Sequence, residues 1–202
     1  MKIVFASKNR GKIIEVEALL EDISVTLCSL YDYKDIPEIL EDGQSFFENA
    51  LKKARIVSEW TGETVLADDS GLEVDVLGGA PGIYSARYAG DDVTDAGNIR
   101  KLLEDLRDIK PNKRGGAFRC VLVLYEPGGH FESFEGRWQG QIADKPAGTG
   151  GFGYDPVFFL PELSMTVAQL PPGLKNQLSH RAKAFQKLNN YLQKVIVSEK
   201  AE

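Results

Sequence analysis

The hydrophobic residues of this chain change their spacing along the sequence, and this change limits the possible folds more than any other feature. Runs with a period of two, such as residues 2–6 and 25–30, alternate with stretches of helical period, such as residues 45–60. Drawn at 100° per residue, the apolar side chains of that helical stretch fall on one arc: Phe46, Phe47, Ala50, Leu51, Ala54 and Val57. Alternating strands and amphipathic helices predict an α/β fold.

The same pattern predicts the order of the elements. We expect strands at residues 2–6, 25–30, 64–67 and 72–76, and helices at 12–21, 45–60, 95–106 and in the C-terminal segment. The C-terminal helix follows from apolar residues at spacings of three and four: Leu178, Ala182, Phe185, Leu188, Leu192 and Val195. Residues 117–126 and 130–142 predict a long hairpin around residues 127–129. Because a hairpin interrupts strict βαβ alternation, we expect a mixed sheet rather than a Rossmann fold.

Composition and charge exclude several classes of protein. With 202 residues, 43% of them hydrophobic and 27% charged, and no linker or repeat, the chain is expected to form one globular domain over residues 1–202. The 24 basic and 30 acidic residues give a net charge of −6, which argues against a nucleic-acid-binding surface. No run approaches the ~20 apolar residues of a membrane span, and no signal peptide is evident. Cys28 and Cys120 are expected to be free thiols, so we expect a cytoplasmic protein with no nucleic-acid or membrane partner.

Two familiar nucleotide-binding motifs are excluded. Residues 148–153 match G-x-G-x-x-G, but no strand precedes them and no helix follows, as a dinucleotide fingerprint requires. Gly11-Lys12 is followed by Ile13 where a P-loop needs Ser or Thr. Any phosphate site must be built differently.

The loop between the first strand and the first helix could bind an anion. It offers backbone N–H groups, a hydroxyl, an amide and three cations beside a helix N-terminus, contributed by Ser7, Lys8, Asn9, Arg10, Gly11 and Lys12. The alternative is a solvated loop in which Asn9 caps the helix, although this leaves three cations at a positive helix end unexplained.

Acidic residues stand at two further positions. Asp68 and Asp69 follow a buried strand, where adjacent carboxylates need a cation or a donor. We expect one to face a site and the other to cap a turn, the alternative being a plain acidic turn. Glu41, before the second helix, could supply a second oxygen ligand for a hard cation such as Mg²⁺. On that helix Lys53 lies at the edge of the apolar arc and can reach a cleft, whereas Lys52 points to solvent.

The final helix begins with an unusual pair of cations. Ser179 is a good N-cap, but His180 and Arg181 then oppose the helix dipole. Such a broken local rule is common at functional sites, and the alternative is an exposed, tolerated pair.

Taken in order, these segments resemble the inosine triphosphate pyrophosphatase family over essentially the whole chain. The motifs are S-x-N-x-x-K from Ser7, E-D-G and F-x-E-N-A at 41–50, A-D-D-S-G-L at 67–72, G-G-A-P-G-I-Y-S-A-R at 78–87, G-T-G-G-F-G-Y-D-P at 148–156 and K-x-x-x-S-H-R at 175–181. The resemblance implies an elongated, twisted mixed β-sheet with flanking helices, two lobes around a central cleft and a homodimer. It also implies Mg²⁺-dependent cleavage of ITP, dITP and XTP to the monophosphate and pyrophosphate.

The resemblance also implies roles for individual residues. The loop of residues 7–12 and Lys53 would bind the phosphates, Asp69 would be the general base, and Asp69 and Glu41 would hold the metal. Other residues would bind the purine nucleoside triphosphate: Ser70, Phe152, Gly153, Tyr154, Asp155, Lys175, His180 and Arg181.

Chemistry suggests how such a site would select its base. His180 and Arg181 can donate hydrogen bonds to the 6-keto oxygen of hypoxanthine or xanthine, and would meet the 6-amino group of adenine donor to donor. Phe152 or Tyr154 would stack on the base. Two other functions remain open at this stage: a pyrophosphatase for pyrimidine or modified nucleotides, and a nucleotide-binding module without catalysis.

Overall fold

The described residues of the computed structural model, 1–21, 23–90, 93–171 and 173–199, contain one seven-stranded sheet. The strands lie in the order β2-β1-β3-β4-β5-β6-β7. Their bounds are β1 Lys2–Phe5, β2 Thr26–Ser29, β3 Val65–Val74, β4 Gly115–Tyr125, β5 Phe131–Ile142, β6 Phe158–Leu160 and β7 Met165–Thr166. The α-helices are α1 Arg10–Leu19, α2 Phe46–Thr61, α3 Asp95–Asp105, α4 Lys175–Leu178 and α5 His180–Glu199.

The sheet is mixed, which confirms the predicted α/β fold class. β1 pairs in parallel with both β2 and β3, whereas β6 is antiparallel to β5 and to β7. β4 and β5 are neighbours joined by a tight turn in which the Glu126 N–H donates to the His130 carbonyl at 2.9 Å. The predicted hairpin is therefore present.

Two predicted strands turn out to be one. The sequence predicts strands at 64–67 and 72–76 separated by an acidic turn, but β3 runs unbroken from Val65 to Val74. The reason is that Asp68 and Asp69 are buried inside the strand, where cationic side chains compensate their charge. The expectation that one of the two aspartates caps a turn is therefore wrong.

Smaller differences arise at element ends. α1 begins at Arg10 rather than residue 12 because the Asn9 side chain caps it, accepting the Lys12 N–H at 3.0 Å. The short strands β6 and β7 were not predicted, since three and two residues are too few to establish a period.

The chain divides into two compact units. Unit 1 contains Met1–Asp69, Cys120–Gly136 and Arg181–Glu202, and unit 2 contains Ser70–Arg119 and Arg137–His180. Each has its own apolar core: the core of unit 1 includes Phe5, Leu122 and Phe185, and that of unit 2 includes Leu102, Trp138 and Phe158. Within the residues described, no helix combines the length and the apolar character that crossing a membrane demands.

Candidate active site

Helix α2 places Lys53 at the centre of an acidic cluster in unit 1. Ser45 caps the start of the helix by accepting the Glu48 N–H, and Gly62 ends it in a left-handed conformation with φ 69°. The Lys53 side chain is buried, and its Nζ donates to Glu41 Oε1 at 2.7 Å, to the Asp68 carbonyl at 2.9 Å and to Asp69 Oδ1 at 3.3 Å. The Lys53 side chain thus extends from the edge of the apolar arc of α2 to these polar groups, as the sequence predicts.

The charge of Lys53 is maintained by its neighbours. Burial lowers the pKa of this ammonium group, but the carboxylates of Asp69 and Glu41 raise it more, and the net effect is a raised pKa. Lys53 therefore stays cationic at neutral pH and can hold a phosphate oxygen.

Asp69 has one satisfied and one unsatisfied carboxylate oxygen. The residue is 5% exposed, and its buried Oδ2 has no hydrogen-bond partner among the residues that the structure describes. Burial raises the pKa of Asp69, and the nearby Lys53 and Lys12 oppose that rise only in part. Such an oxygen is prepared to accept a proton or to bind a cation.

The donors present suit a magnesium ion. Asp69 Oδ2 lacks a partner, and Glu41 contacts the same Lys53 ammonium as Asp69 does. No cluster of three or more His, Cys, Asp or Glu side chains able to hold a metal occurs in the described part of the chain. Mg²⁺ does not need such a cluster, because it is usually held by one or two carboxylates, water and substrate phosphates. Asp69 and Glu41 therefore fit it.

Asp68 has a different environment from its neighbour. Its Oδ1 accepts from Lys12 Nζ at 2.5 Å, and its Oδ2 accepts from Arg181 Nε at 2.8 Å and from the Cys120 thiol at 3.4 Å. Burial raises the pKa of this carboxyl, but Arg181 and Lys12 hold it well below its ordinary value. Asp68 is therefore a fixed anion that organises the cations around it.

Arg181 is buried in the same cluster. It is 1% exposed, and besides Asp68 it forms an ion pair with Glu15 of α1. His180 is also buried and stacks on Phe118 within unit 2, with ring centroids 4.9 Å apart. The alternative of an exposed, tolerated pair is therefore wrong for both residues, and the contact of either with a base stays a prediction.

The loop of residues 7–12 is ordered by its own side chains. Ser7 Oγ accepts the Asn9 N–H at 3.1 Å, and Asn9 in turn caps α1, as the solvated-loop alternative proposed for it. Lys8 and Arg10 are exposed, and Lys12 is anchored on Asp68. Three cations thus lie beside a helix N-terminus, one of them anchored, and the anion-binding role of this loop stays a prediction.

A second group of predicted substrate-binding residues lies together in unit 2. Asp155 is buried, accepts the Phe152 N–H at 3.0 Å and forms an ion pair with Lys175, whose ammonium lies 4.4 Å from the centroid of the Phe152 ring. A methyl group on Gly151, where φ is 72°, would overlap Asp155 Oδ2, so only glycine fits there. Tyr154 belongs to the core and donates its hydroxyl to the Ser85 carbonyl at 2.9 Å. Phe152 is therefore the better of the two candidates for stacking.

Several residues in these clusters were not found from the sequence. In unit 1 Glu15 contacts Arg181 and the Cys120 thiol donates to Asp68, and in unit 2 Asp95 accepts the Gly153 N–H at 2.7 Å. Asn49, which accepts the Gly43 N–H, stands in the F-x-E-N-A motif without an assigned role, whereas Glu15 looks like an ordinary polar position of a helix. Ser70, the remaining predicted residue, is half-buried on β3 in unit 2.

Comparisons with known proteins agree with the sequence motifs. The model of the Ham1 family matches residues 3–191. The dITP/XTP pyrophosphatase of Geobacter sulfurreducens is 49% identical, with 95% of this chain and 96% of that protein covered, and that of Shouchella clausii is 47% identical, with 96% and 98% covered. The structure of a HAM1 protein from Coxiella burnetii superimposes with a TM-score of 0.88 at 41% identity, covering 96% of this chain and 99% of that one. The resemblance seen in the sequence is thus confirmed: the chain belongs to the Ham1 family.

Proposed function

We propose that this protein hydrolyses non-standard purine nucleoside triphosphates, namely ITP, dITP and XTP, to the monophosphate and pyrophosphate. The observation that carries the proposal is the buried Asp69, whose free Oδ2 lies in the cluster formed with Lys53 and Glu41. Relatives that are 47–49% identical over nearly the whole chain are named dITP/XTP pyrophosphatases.

In this mechanism Asp69 acts as the general base. The Lys53 contact at 3.3 Å holds Oδ1 so that Oδ2 can face the attacking water. Lys53, together with the loop residues Ser7, Lys8, Asn9, Arg10, Gly11 and Lys12, would hold the phosphate oxygens. Their positive charge compensates the charge that develops on the phosphoryl group.

We propose Mg²⁺ as the cofactor, held by Asp69 and Glu41. When bound, it would supply a Lewis acid that polarises the phosphoryl group and neutralises charge. Lys53 links the two carboxylates and so keeps both near one point.

For the remaining substrate contacts we retain the assignments that the motifs imply. The base would stack on Phe152, whose main chain is fixed by Asp155 and whose ring is covered by Lys175. The other proposed substrate-binding residues are Ser70, Gly153, Tyr154, His180 and Arg181. We also propose a homodimer in the cytoplasm, with residues 1–202 acting as one functional domain.

One screen tests the activity directly. The purified protein is incubated with Mg²⁺ and, separately, with ITP, dITP, XTP, the four common ribonucleotides and a set of modified pyrimidine triphosphates. We expect pyrophosphate and monophosphate as the first products from ITP, dITP and XTP. Orthophosphate and a nucleoside diphosphate would contradict the proposed bond cleavage, faster turnover of a pyrimidine would contradict the substrate class, and no turnover would favour a binding module.

A further inference from the structure

Residues 41–44, here called the acidic segment, have no regular secondary structure, yet each is held by a side chain of α2. Lys53 Nζ donates to Glu41 at 2.7 Å and Lys52 Nζ donates to Asp42 at 2.5 Å. The Gly43 N–H donates to Asn49 Oδ1 at 2.8 Å, and the Gln44 N–H donates to Glu48 Oε2 at 2.7 Å. The helix therefore fixes the position from which Glu41 reaches the cluster around Asp69.

Asn49 and Lys53 are the buried members of this set. Asn49 is fully inaccessible to solvent, whereas Asp42 and Glu48 are exposed. Side-chain contacts at an exposed position contribute little, whereas water competes less for a hydrogen bond whose acceptor is buried. Lys53 holds the Glu41 side chain, and the contact between Asn49 and Gly43 is the one in which a buried side chain holds the main chain of the segment.

The space around Gly43 shows how closely the segment sits on the helix. A methyl group at this position would lie 2.8 Å from Asn49 Oδ1 and 2.8 Å from Glu48 Cβ. The backbone conformation of Gly43 is not left-handed, so crowding and not φ demands glycine there. Any larger residue must push the segment, and Glu41 with it, away from α2.

We propose that Asn49 is a positioning residue, which orients Glu41 for metal binding by holding the acidic segment on α2. This inference rests on the proposed role of Glu41 as a magnesium ligand. Asn49 does not touch the reacting atoms, and it acts through the Gly43 N–H and through Asp42, the one residue between Gly43 and Glu41. Partners that orient a metal ligand in this way affect metal affinity 10–100-fold when they are changed.

The test uses two measurements. Electron paramagnetic resonance gives the affinity for Mn²⁺ without nucleotide, and an activity assay gives the Mg²⁺ concentration needed for half-maximal activity. Asn49→Leu keeps the branched skeleton of the side chain and removes the acceptor, and we expect it to weaken Mn²⁺ binding about tenfold. At saturating Mg²⁺ its kcat should recover to within about threefold of the wild type. Amide exchange at Gly43 should also become faster, because its N–H loses a buried acceptor.

The chain offers a matched control in unit 2. Asn98 on α3 is also buried, and its Oδ1 accepts the Ala89 N–H at 2.9 Å. Asn98→Leu removes the same kind of bond far from the acidic segment in sequence, so it should destabilise the fold without changing Mn²⁺ affinity. If Asn49→Leu does not fold, Gly43→Ala tests the same step and should weaken Mn²⁺ binding in the same direction.

A double substitution separates this inference from the proposed function. If Asn49 acts through Glu41, Asn49→Leu should add less than twofold to the loss of Mn²⁺ affinity already caused by Glu41→Gln. The inference is overturned if Glu41→Gln weakens Mn²⁺ binding but Asn49→Leu and Gly43→Ala leave it within twofold of the wild type. If Glu41→Gln itself has no effect, the assignment of the metal ligand has failed, and the positioning role fails with it.

Discussion

Asp69 and Asp68 are adjacent residues of one strand, and their surroundings separate their chemistry. Burial raises the pKa of Asp69, whose Oδ2 lacks a partner in the described part of the chain, whereas Arg181 and Lys12 hold the pKa of Asp68 well below its ordinary value. Asp69→Asn removes the proposed base with little change of shape, so kcat should fall at least ~100-fold, the usual scale for loss of a general base. Steady-state pyrophosphate release with saturating Mg²⁺ measures this, and turnover near that of the wild type would remove Asp69 from the role of base.

Arg181 offers a second prediction at the scale of single residues. Its guanidinium is buried between Asp68 and Glu15, so Arg181→Ala leaves two carboxylates without their main cation. Breaking a buried pair in this way costs about 3–5 kcal/mol of the free energy of unfolding, which chemical denaturation measures. Arg55 on α2 is the control, since its ion pair with Glu59 spans 3.9 Å on the surface and Arg55→Ala should cost under about 1 kcal/mol. An equally small loss for Arg181→Ala would mean that water solvates the two carboxylates in place of the guanidinium.

The same variant also tests base selection. If Arg181 recognises the base, the ratio of kcat/KM for ITP to kcat/KM for ATP should fall in Arg181→Ala, mainly because kcat/KM for ITP decreases.

At the scale of elements, α3 supports the Phe152–Asp155 turn of unit 2. Asp95, in the first turn of α3, accepts the Gly153 N–H at 2.7 Å. Asp95→Ala should therefore loosen the turn that carries Phe152. We expect KM for ITP to rise about five- to tenfold, with a smaller change in kcat. The effect is limited to this size because one hydrogen bond to a charged acceptor contributes about 1.5–3 kcal/mol at most. Asp95→Asn keeps an acceptor oxygen and should restore most of the affinity. Asp105→Ala, at the other end of α3, is the control. If this variant raises KM for ITP by the same amount, the effect comes from destabilising the whole helix and not from the bond to Gly153.

The elements also show what the sequence could and could not establish. The period of the apolar residues was sufficient for α2, α3, α5 and the β4–β5 hairpin, because each is long enough to show its spacing. The predicted break between two strands near Asp68 was wrong. Two adjacent aspartates favour a turn by local propensity, but Arg181, more than a hundred positions later, neutralises the charge of Asp68 inside β3. The roles that the motifs assign to individual side chains stay predictions, and Glu15 contacts Arg181 only through a fold that brings α1 beside α5, which no local pattern encodes.

At the scale of the whole molecule, binding of substrate must raise the free energy of unfolding. A ligand that binds only the folded state adds RT ln(1 + [L]/Kd), about 2.7 kcal/mol when its concentration is one hundred times Kd. For a chain of 202 residues, each kcal/mol moves Tm by about 2–4 °C. With Mg²⁺ and a non-hydrolysable ITP analogue at that concentration, Tm should therefore rise by about 5–10 °C. The matching ATP analogue at the same concentration should cause a much smaller rise, because adenine presents a 6-amino donor where the proposed site offers donors. Equal shifts with both analogues would mean that the protein selects its substrate after binding, in the chemical step, and not through affinity for the base.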